Sequence, residues 1–87
     1  MSELKEQFEK AAVAVKSLTE RPDDNTMLQL YALYKQGSSG DVSGPKPGFF
    51  DFVGSAKYEA WGKLAGTSAQ EAQQQYIKLV TKLGVEV

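Results

Sequence analysis

The chain contains no cysteine and no histidine. Without cysteine it has no disulfide, no thiolate nucleophile and no thiolate metal site. Without histidine it lacks the commonest general base and the commonest metal ligand. Acid–base or nucleophilic work is left to Asp, Glu, Lys, Tyr, Ser and Thr. No pair of carboxylates stands at a useful spacing, and no P-loop-type glycine-rich sequence occurs. Gly40-Asp41-Val42-Ser43-Gly44 superficially suggests a phosphate turn but lacks the following helix and lysine. The chain is therefore not expected to be an enzyme, and no metal or other cofactor is expected.

Excess charge of one sign is also missing. Ten basic residues face eleven acidic ones, a formal net charge of -1. That argues against a nucleic-acid partner held by bulk charge. It leaves room for a local basic site suited to one phosphate-rich small molecule. No apolar run reaches the length of a membrane span, so no integral membrane association is expected. Met1-Ser2-Glu3-Leu4-Lys5-Glu6 is charged and has no apolar stretch of the signal-peptide kind. The default compartment is cytoplasmic or similarly reducing.

What is present fits one domain over residues 1–87, with 41% hydrophobic and 24% charged residues, a globular rather than a disordered balance. The pattern predicts four helices. The first runs from about Glu3 to Leu18, with Leu4, Phe8, Ala11, Val15 and Leu18 in one apolar stripe. Thr19-Glu20-Arg21-Pro22 ends it, because proline disfavours helix in the residue before it. Asp23 or Asp24 caps the second, which continues to about Gln36 with Met27, Leu30, Tyr31 and Tyr34 on one face. Gly37-Ser38-Ser39-Gly40 is expected to stop it. A long loop, GSSGDVSGPKPGFF, follows over 37–50, and loops of that length in a small domain are often functional. Asp51 caps a third helix reaching about Leu64. Ser68-Ala69-Gln70-Glu71 has capping-box spacing and opens a fourth helix to about Leu83, with Ala72, Tyr76, Leu79, Val80 and Leu83 on one face. The long second connection implies that not all neighbours are joined by tight hairpins.

Some residues do not belong in a plain bundle. Lys57 falls inside the apolar arc of the third helix, made by Val53, Ala56, Ala60, Trp61 and Leu64. Its stem either covers apolar surface while the ammonium reaches water, or places a cation at the rim of an apolar cavity. Tyr31 and Lys35 are four apart and project together, so a phenol and an ammonium can donate to one phosphate. Tyr76 is mid-stripe, where a core tyrosine is the plain reading and its hydroxyl still needs a partner. Phe49 and Phe50, adjacent at the loop's end, are expected to anchor the loop to the core, with lining of an acyl tail as a second use. Met27, Leu28 and Ala12 lie near the edges of their stripes, where a groove between helices can be lined.

Taken together the chain resembles the acyl-CoA-binding protein family. The likeness rests on Met27-Leu28-x-x-Tyr31-x-x-Tyr34-Lys35-Gln36 with Gly40-Asp41, on Lys46-Pro47-Gly48-x-x-Asp51-Phe52, and on Ala56-Lys57-x-x-Ala60-Trp61. Gly66-Thr67-Ser68 with Ala72 and Tyr76-Ile77 extends it to the fourth helix, and Phe8 and Ala11-Ala12 to the first. The resemblance implies an all-α, four-helix up-down-down-up bundle. It implies a non-catalytic, monomeric carrier that binds medium- to long-chain acyl-CoA and passes it to acyl-CoA-using enzymes as transient clients. It further implies that Tyr31, Lys35 and Lys57 hold the 3′-phosphate and adenosine, that Tyr76 helps hold the nucleotide head, and that Ala12, Lys16, Met27 and Leu28 line the rest of the groove. Val53 and Ser55 stand where many members have lysine, and Tyr58 where many have tryptophan. Fewer lysines imply weaker attraction for the ligand.

Two other helical readings compete with a carrier. An acyl carrier protein needs a phosphopantetheine-bearing serine in a sequence like Asp-Ser-Leu and a strongly acidic surface, and neither is present. A helical protein-interaction module without a lipid ligand is the alternative that retention on coenzyme A resin separates.

Overall fold

A computed structural model of the chain describes residues 3–85. Four α-helices make up its regular structure: α1 Glu3–Ala14, α2 Asp24–Ser39, α3 Phe52–Gly62 and α4 Ala69–Lys82. Among the described residues there is no strand, and no helix is long and apolar enough to cross a membrane.

Three helix starts are fixed by the side chains that the sequence offers as caps. Asp23 accepts from the Thr26 amide at 2.8 Å, Asp51 from the Gly54 amide at 2.9 Å, and Ser68 Oγ from the Glu71 amide at 3.1 Å. Each satisfies an amide that has no partner within its own helix.

The ends differ from the sequence expectation. The first α-helix closes at Ala14 and tightens into one 3-10 turn, Val15–Ser17, before Leu18. The second does not stop at Gln36. It continues through Gly37, Ser38 and Ser39, and Gly40, with φ 83°, turns the chain out. Gly37 is there for proximity and not as a breaker. A Cβ at Gly37 would stand 2.9 Å from Phe8 Cζ and 3.0 Å from Gln73 Cγ. The glycine lets α1 and α4 close onto α2.

Residue pairs establish the topology. Tyr31 faces Lys57, and Lys35 faces Trp61, so α2 and α3 run parallel. Gly37 meets Gln73 while Tyr34 meets Tyr76, so α2 and α4 run antiparallel. Phe8 packs on Tyr76, and Leu18 shares a concavity with Leu83, so α1 runs with α4. The order is up-down-down-up. Parallel α2 and α3 need a long return, and the segment between them supplies it along α3. Gly40 O accepts from Trp61 Nε1 at 2.8 Å, and Gly44 O accepts from the Tyr58 hydroxyl at 3.0 Å, before the chain reaches Asp51 at the start of α3.

The core is formed by Phe8, Ala11, Leu30, Leu33, Ala72, Tyr76 and Val80, with Val15, Leu64, Ile77, Leu79 and Leu83 among those packed around it. The stripes expected on α1 and α4 supply most of it. On α2 the expected stripe is displaced: Leu30, Ala32, Leu33, Gln36 and Gly37 are buried, while Met27 and Tyr34 remain exposed. On α3, Trp61 is buried but Val53 is exposed. Phe49 and Phe50 do not anchor the loop to the core. They are 85% and 83% exposed and pack edge to face on each other.

Two glutamines and one aspartate tie α2 to its neighbours. Gln36 is fully buried, and its Nε2 donates to Asp41 Oδ1 and to Thr67 O, both at 2.8 Å. Asp41 Oδ1 also accepts from the Gly66 amide at 2.9 Å. Gln73 Nε2 donates to Gly37 O at 2.9 Å. These bonds join the end of α2 to the α3–α4 turn and to α4.

Candidate functional site

The parallel pairing of α2 and α3 builds the most distinctive group of side chains. Each helix contributes an aromatic residue and a lysine one turn apart, in opposite order: Tyr31 then Lys35 on α2, Lys57 then Trp61 on α3. The Lys57 ammonium lies 5.2 Å from the centre of the Tyr31 ring, and the Lys35 ammonium lies 4.9 Å from the centre of the Trp61 ring. Ring faces carry partial negative charge, so they hold the cations near the helix pair and restrict their swing. Such contacts are worth about 0.5–1 kcal/mol at exposed sites. A hydrogen bond to a charged group is worth roughly 1.5–3 kcal/mol. A phosphate oxygen within reach is therefore a stronger partner for either ammonium than its ring.

Lys57 is exposed and Tyr31 and Lys35 are half-buried, so the group is accessible. Trp61 is buried, and its indole N–H is held by Gly40 O. The backbone of the loop that follows α2 thus sets the plane on which Lys35 rests. Sequence reasoning assigned Trp61 only to the apolar arc and missed this role. The mirrored order of the two aromatic–lysine pairs was the signal that could have revealed it.

Tyr76 belongs to a second, adjoining cluster. Its ring lies 5.2 Å from Phe8 and 6.0 Å from Tyr34, and Tyr34 in turn stacks on Phe8 at 5.3 Å. Tyr34 is one turn from Tyr31 on α2, which joins the two clusters. Tyr76 is 4% exposed. Removal from water, followed by the nearby Tyr34 phenol, pushes its pKa above the ordinary tyrosine value.

The remaining expected residues are more dispersed. Leu28 is half-buried and Met27 exposed on the first turns of α2. Ala12 is half-buried against the core. Lys16 is exposed in the 3-10 turn after α1. Two shallow concavities, one along Glu6, Glu9, Lys10, Val13 and Ala14 and one along 18–22 with Leu83, include none of the eight expected residues.

The comparisons with known proteins agree with this architecture. Residues 5–80 match the family model described as "Acyl CoA binding protein". The chain is 56% identical over 78 residues to the Acyl-CoA-binding protein homolog of Drosophila melanogaster, covering 90% of this chain and 91% of that protein. It is 46% identical to the Acyl-CoA-binding protein homolog of Manduca sexta, over 95% of this chain and 98% of that one. It is also similar to part of a rat protein, Enoyl-CoA delta isomerase 2, at 43% identity over 21% of that protein's length. Among solved structures, Acyl-CoA-Binding Protein 2 of Oryza sativa superimposes with a TM-score of 0.87 at 38% identity, covering 92% of this chain and 89% of that one. The ACBP of Moniliophthora perniciosa gives 0.84 at 37% identity, over 95% and 80%. With the sequence matched over nearly its whole length and the fold reproduced, this chain belongs to the acyl-CoA-binding protein family.

Proposed function

We propose that this protein is a non-catalytic carrier for medium- to long-chain fatty acyl-CoA esters. The observation that carries the reading is the paired presentation of Lys35 and Lys57 on the Trp61 and Tyr31 rings across parallel helices, in a member of this family. Coenzyme A carries a 3′-phosphate and a pyrophosphate, each able to accept several hydrogen bonds. In this reading Tyr31, Lys35 and Lys57 take the 3′-phosphate and adenosine, and Tyr76 supports the nucleotide head from the Phe8–Tyr34 cluster. The acyl tail runs along apolar surface that includes Met27, Leu28 and Ala12, with Lys16 at the rim.

Magnitudes divide the work. Two or three charge-assisted bonds at roughly 1.5–3 kcal/mol each supply several kcal/mol. Each buried methylene supplies up to about 0.8 kcal/mol, less the cost of ordering the tail. Head contacts set the identity of the ligand, and the tail sets its affinity. Nothing in this scheme needs a metal or a prosthetic group. The protein binds and releases the thioester unchanged, as a cytoplasmic monomer that meets acyl-CoA-using enzymes transiently.

Native mass spectrometry of protein purified from cells tests the reading. The expected spectrum contains a complex whose added mass equals one acyl-CoA. A spectrum of bare protein that stays bare after incubation with palmitoyl-CoA contradicts it and leaves a protein-interaction module as the better reading.

A further inference from the structure

We propose that Ser39 is a phosphorylation site, and that a phosphate carried there occupies Lys35 and closes the coenzyme A head site. Ser39 is the last residue of α2. It is exposed, and its hydroxyl has no partner among the described residues. Ser38 beside it differs, because its hydroxyl already donates to Tyr34 O at 2.7 Å. Ser39 stands four residues after Lys35, the spacing that sets two helical side chains one above the other on a shared face. The Lys35 ammonium also lies toward that end of the helix. It is 4.9 Å from the centre of the Trp61 ring, and the indole N–H of that ring is bonded to Gly40 O, one residue beyond Ser39. A phosphate ester on Ser39 and the Lys35 ammonium therefore share one turn of surface.

The transfer takes a protein kinase and a nucleoside triphosphate. Ser39 Oγ bonds to the γ-phosphorus as the bond to the departing nucleoside diphosphate breaks, and the hydroxyl proton passes to the kinase's base. Position favours access. The last turn of a helix opens at the least cost, and no further helix begins until Phe52. The product carries a charge of about −1.5 to −2 and three acceptor oxygens. Alone, that charge is badly placed, because it adds to the negative end of the α2 dipole and stands two residues from Asp41. Lys35 is the cation one turn away that offsets both. A phosphate oxygen is a stronger partner for its ammonium than the Trp61 ring, so Lys35 leaves the ring for the phosphate. Being on the same helix, the phosphate acts at an effective concentration on the order of millimolar. It also repels the phosphates of a coenzyme A ester approaching the same ammonium. The closing of the site rests on the carrier reading, which gives Lys35 to the ligand's head, while the contact between the Ser39 phosphate and Lys35 does not.

Peptide mass mapping of the protein purified from cells under phosphatase inhibitors tests the site, with phosphate expected on Ser39. A map in which Ser39 is unmodified overturns it. The full chain, made with phosphoserine inserted at position 39 during synthesis, tests the consequence. In calorimetry it is expected to bind palmitoyl-CoA about ten- to a hundredfold more weakly than the unmodified chain, the equivalent of one charge-assisted bond. In a Lys35→Ala background the same phosphate should cost about twofold or less. Equal affinity of the modified and unmodified chains sinks the idea. So does a loss that persists in the Lys35→Ala background, because the phosphate then acts by unwinding the turn or by general repulsion. The contact itself is read by NMR with no ligand present. The Lys35 ε-protons are shielded by the Trp61 ring beneath them, and the phosphate is expected to remove that shielding. An unchanged shift overturns the contact. If the unmodified chain does not bind palmitoyl-CoA although the Lys35 shift moves, the carrier reading fails and takes the closing of the site with it, while the phosphate–lysine contact stands.

Discussion

The Lys57 ammonium lies 5.2 Å from the centre of the Tyr31 ring, across two helices that run parallel. The contact holds a cation in place without consuming its hydrogen bonds, so all three N–H donors remain for a ligand. Lys57→Ala should weaken palmitoyl-CoA by about ten- to a hundredfold, the equivalent of one charge-assisted bond. Against a ligand lacking the 3′-phosphate the same substitution should cost much less. Calorimetry with both ligands and both proteins completes the cycle. Equal losses would show that Lys57 does not read this phosphate.

Gly37 tests the packing of three helices at one point. Alanine is a better helix former than glycine by about 1 kcal/mol, and at an exposed position Gly37→Ala would stabilise α2. Here the new methyl meets the Phe8 ring at 2.9 Å and Gln73 at 3.0 Å. Phe8 cannot retreat, because it is stacked on Tyr34 and edge-on to Tyr76. Overpacking of this kind costs roughly 1–3 kcal/mol. The variant should melt below the wild type, and a raised melting temperature would show that the three helices are not closely seated there.

Asp41 makes stability depend on acid. The Gly66 amide first, and then the Gln36 side chain, hold its carboxyl below the ordinary aspartate value. A pKa lowered by folding contributes stability above the unfolded value of about 3.9, and that contribution is lost as pH falls through the folded value. Asp41→Asn should therefore lower the urea midpoint at neutral pH, and its deficit should shrink as the solution is acidified below about pH 4. A deficit that stays constant across that range would mean the charge on Asp41 is not what the Gly66 and Gln36 bonds require.

The sequence made some of these features legible and hid others. Asp23, Asp51 and Ser68 act over three residues, so their caps could be read directly. The stripes of α1 and α4 were equally plain, because one face of each is buried. The end of α2 was misplaced because Gly37-Ser38-Ser39 looks like a stop, and only the approach of Phe8 and Gln73 explains a glycine inside the helix. The Gln36, Asp41 and Gln73 bonds include partners 25 to 36 residues apart, a separation no local pattern carries. As adjacent aromatics at the loop's end, Phe49 and Phe50 read as anchors of the loop to the core or as lining for an acyl tail, and the anchoring fails because the path of the loop along α3 leaves both rings exposed. Within the candidate site, the i,i+4 pairing of Tyr31 with Lys35 was visible. The facing of α2 by α3 that completes it was not, since register between parallel helices is set by the crossover and not by either helix.

The carrier reading stands or falls on how affinity depends on the ligand's tail. One calorimetric series, from free coenzyme A through octanoyl-CoA to palmitoyl-CoA and stearoyl-CoA, measures it. The account predicts weak binding of free coenzyme A and one-to-one complexes that tighten with each added methylene, by less than the full transfer value of about 0.8 kcal/mol, until the groove is filled. Affinity that is the same along the whole series, or absent throughout, would contradict it.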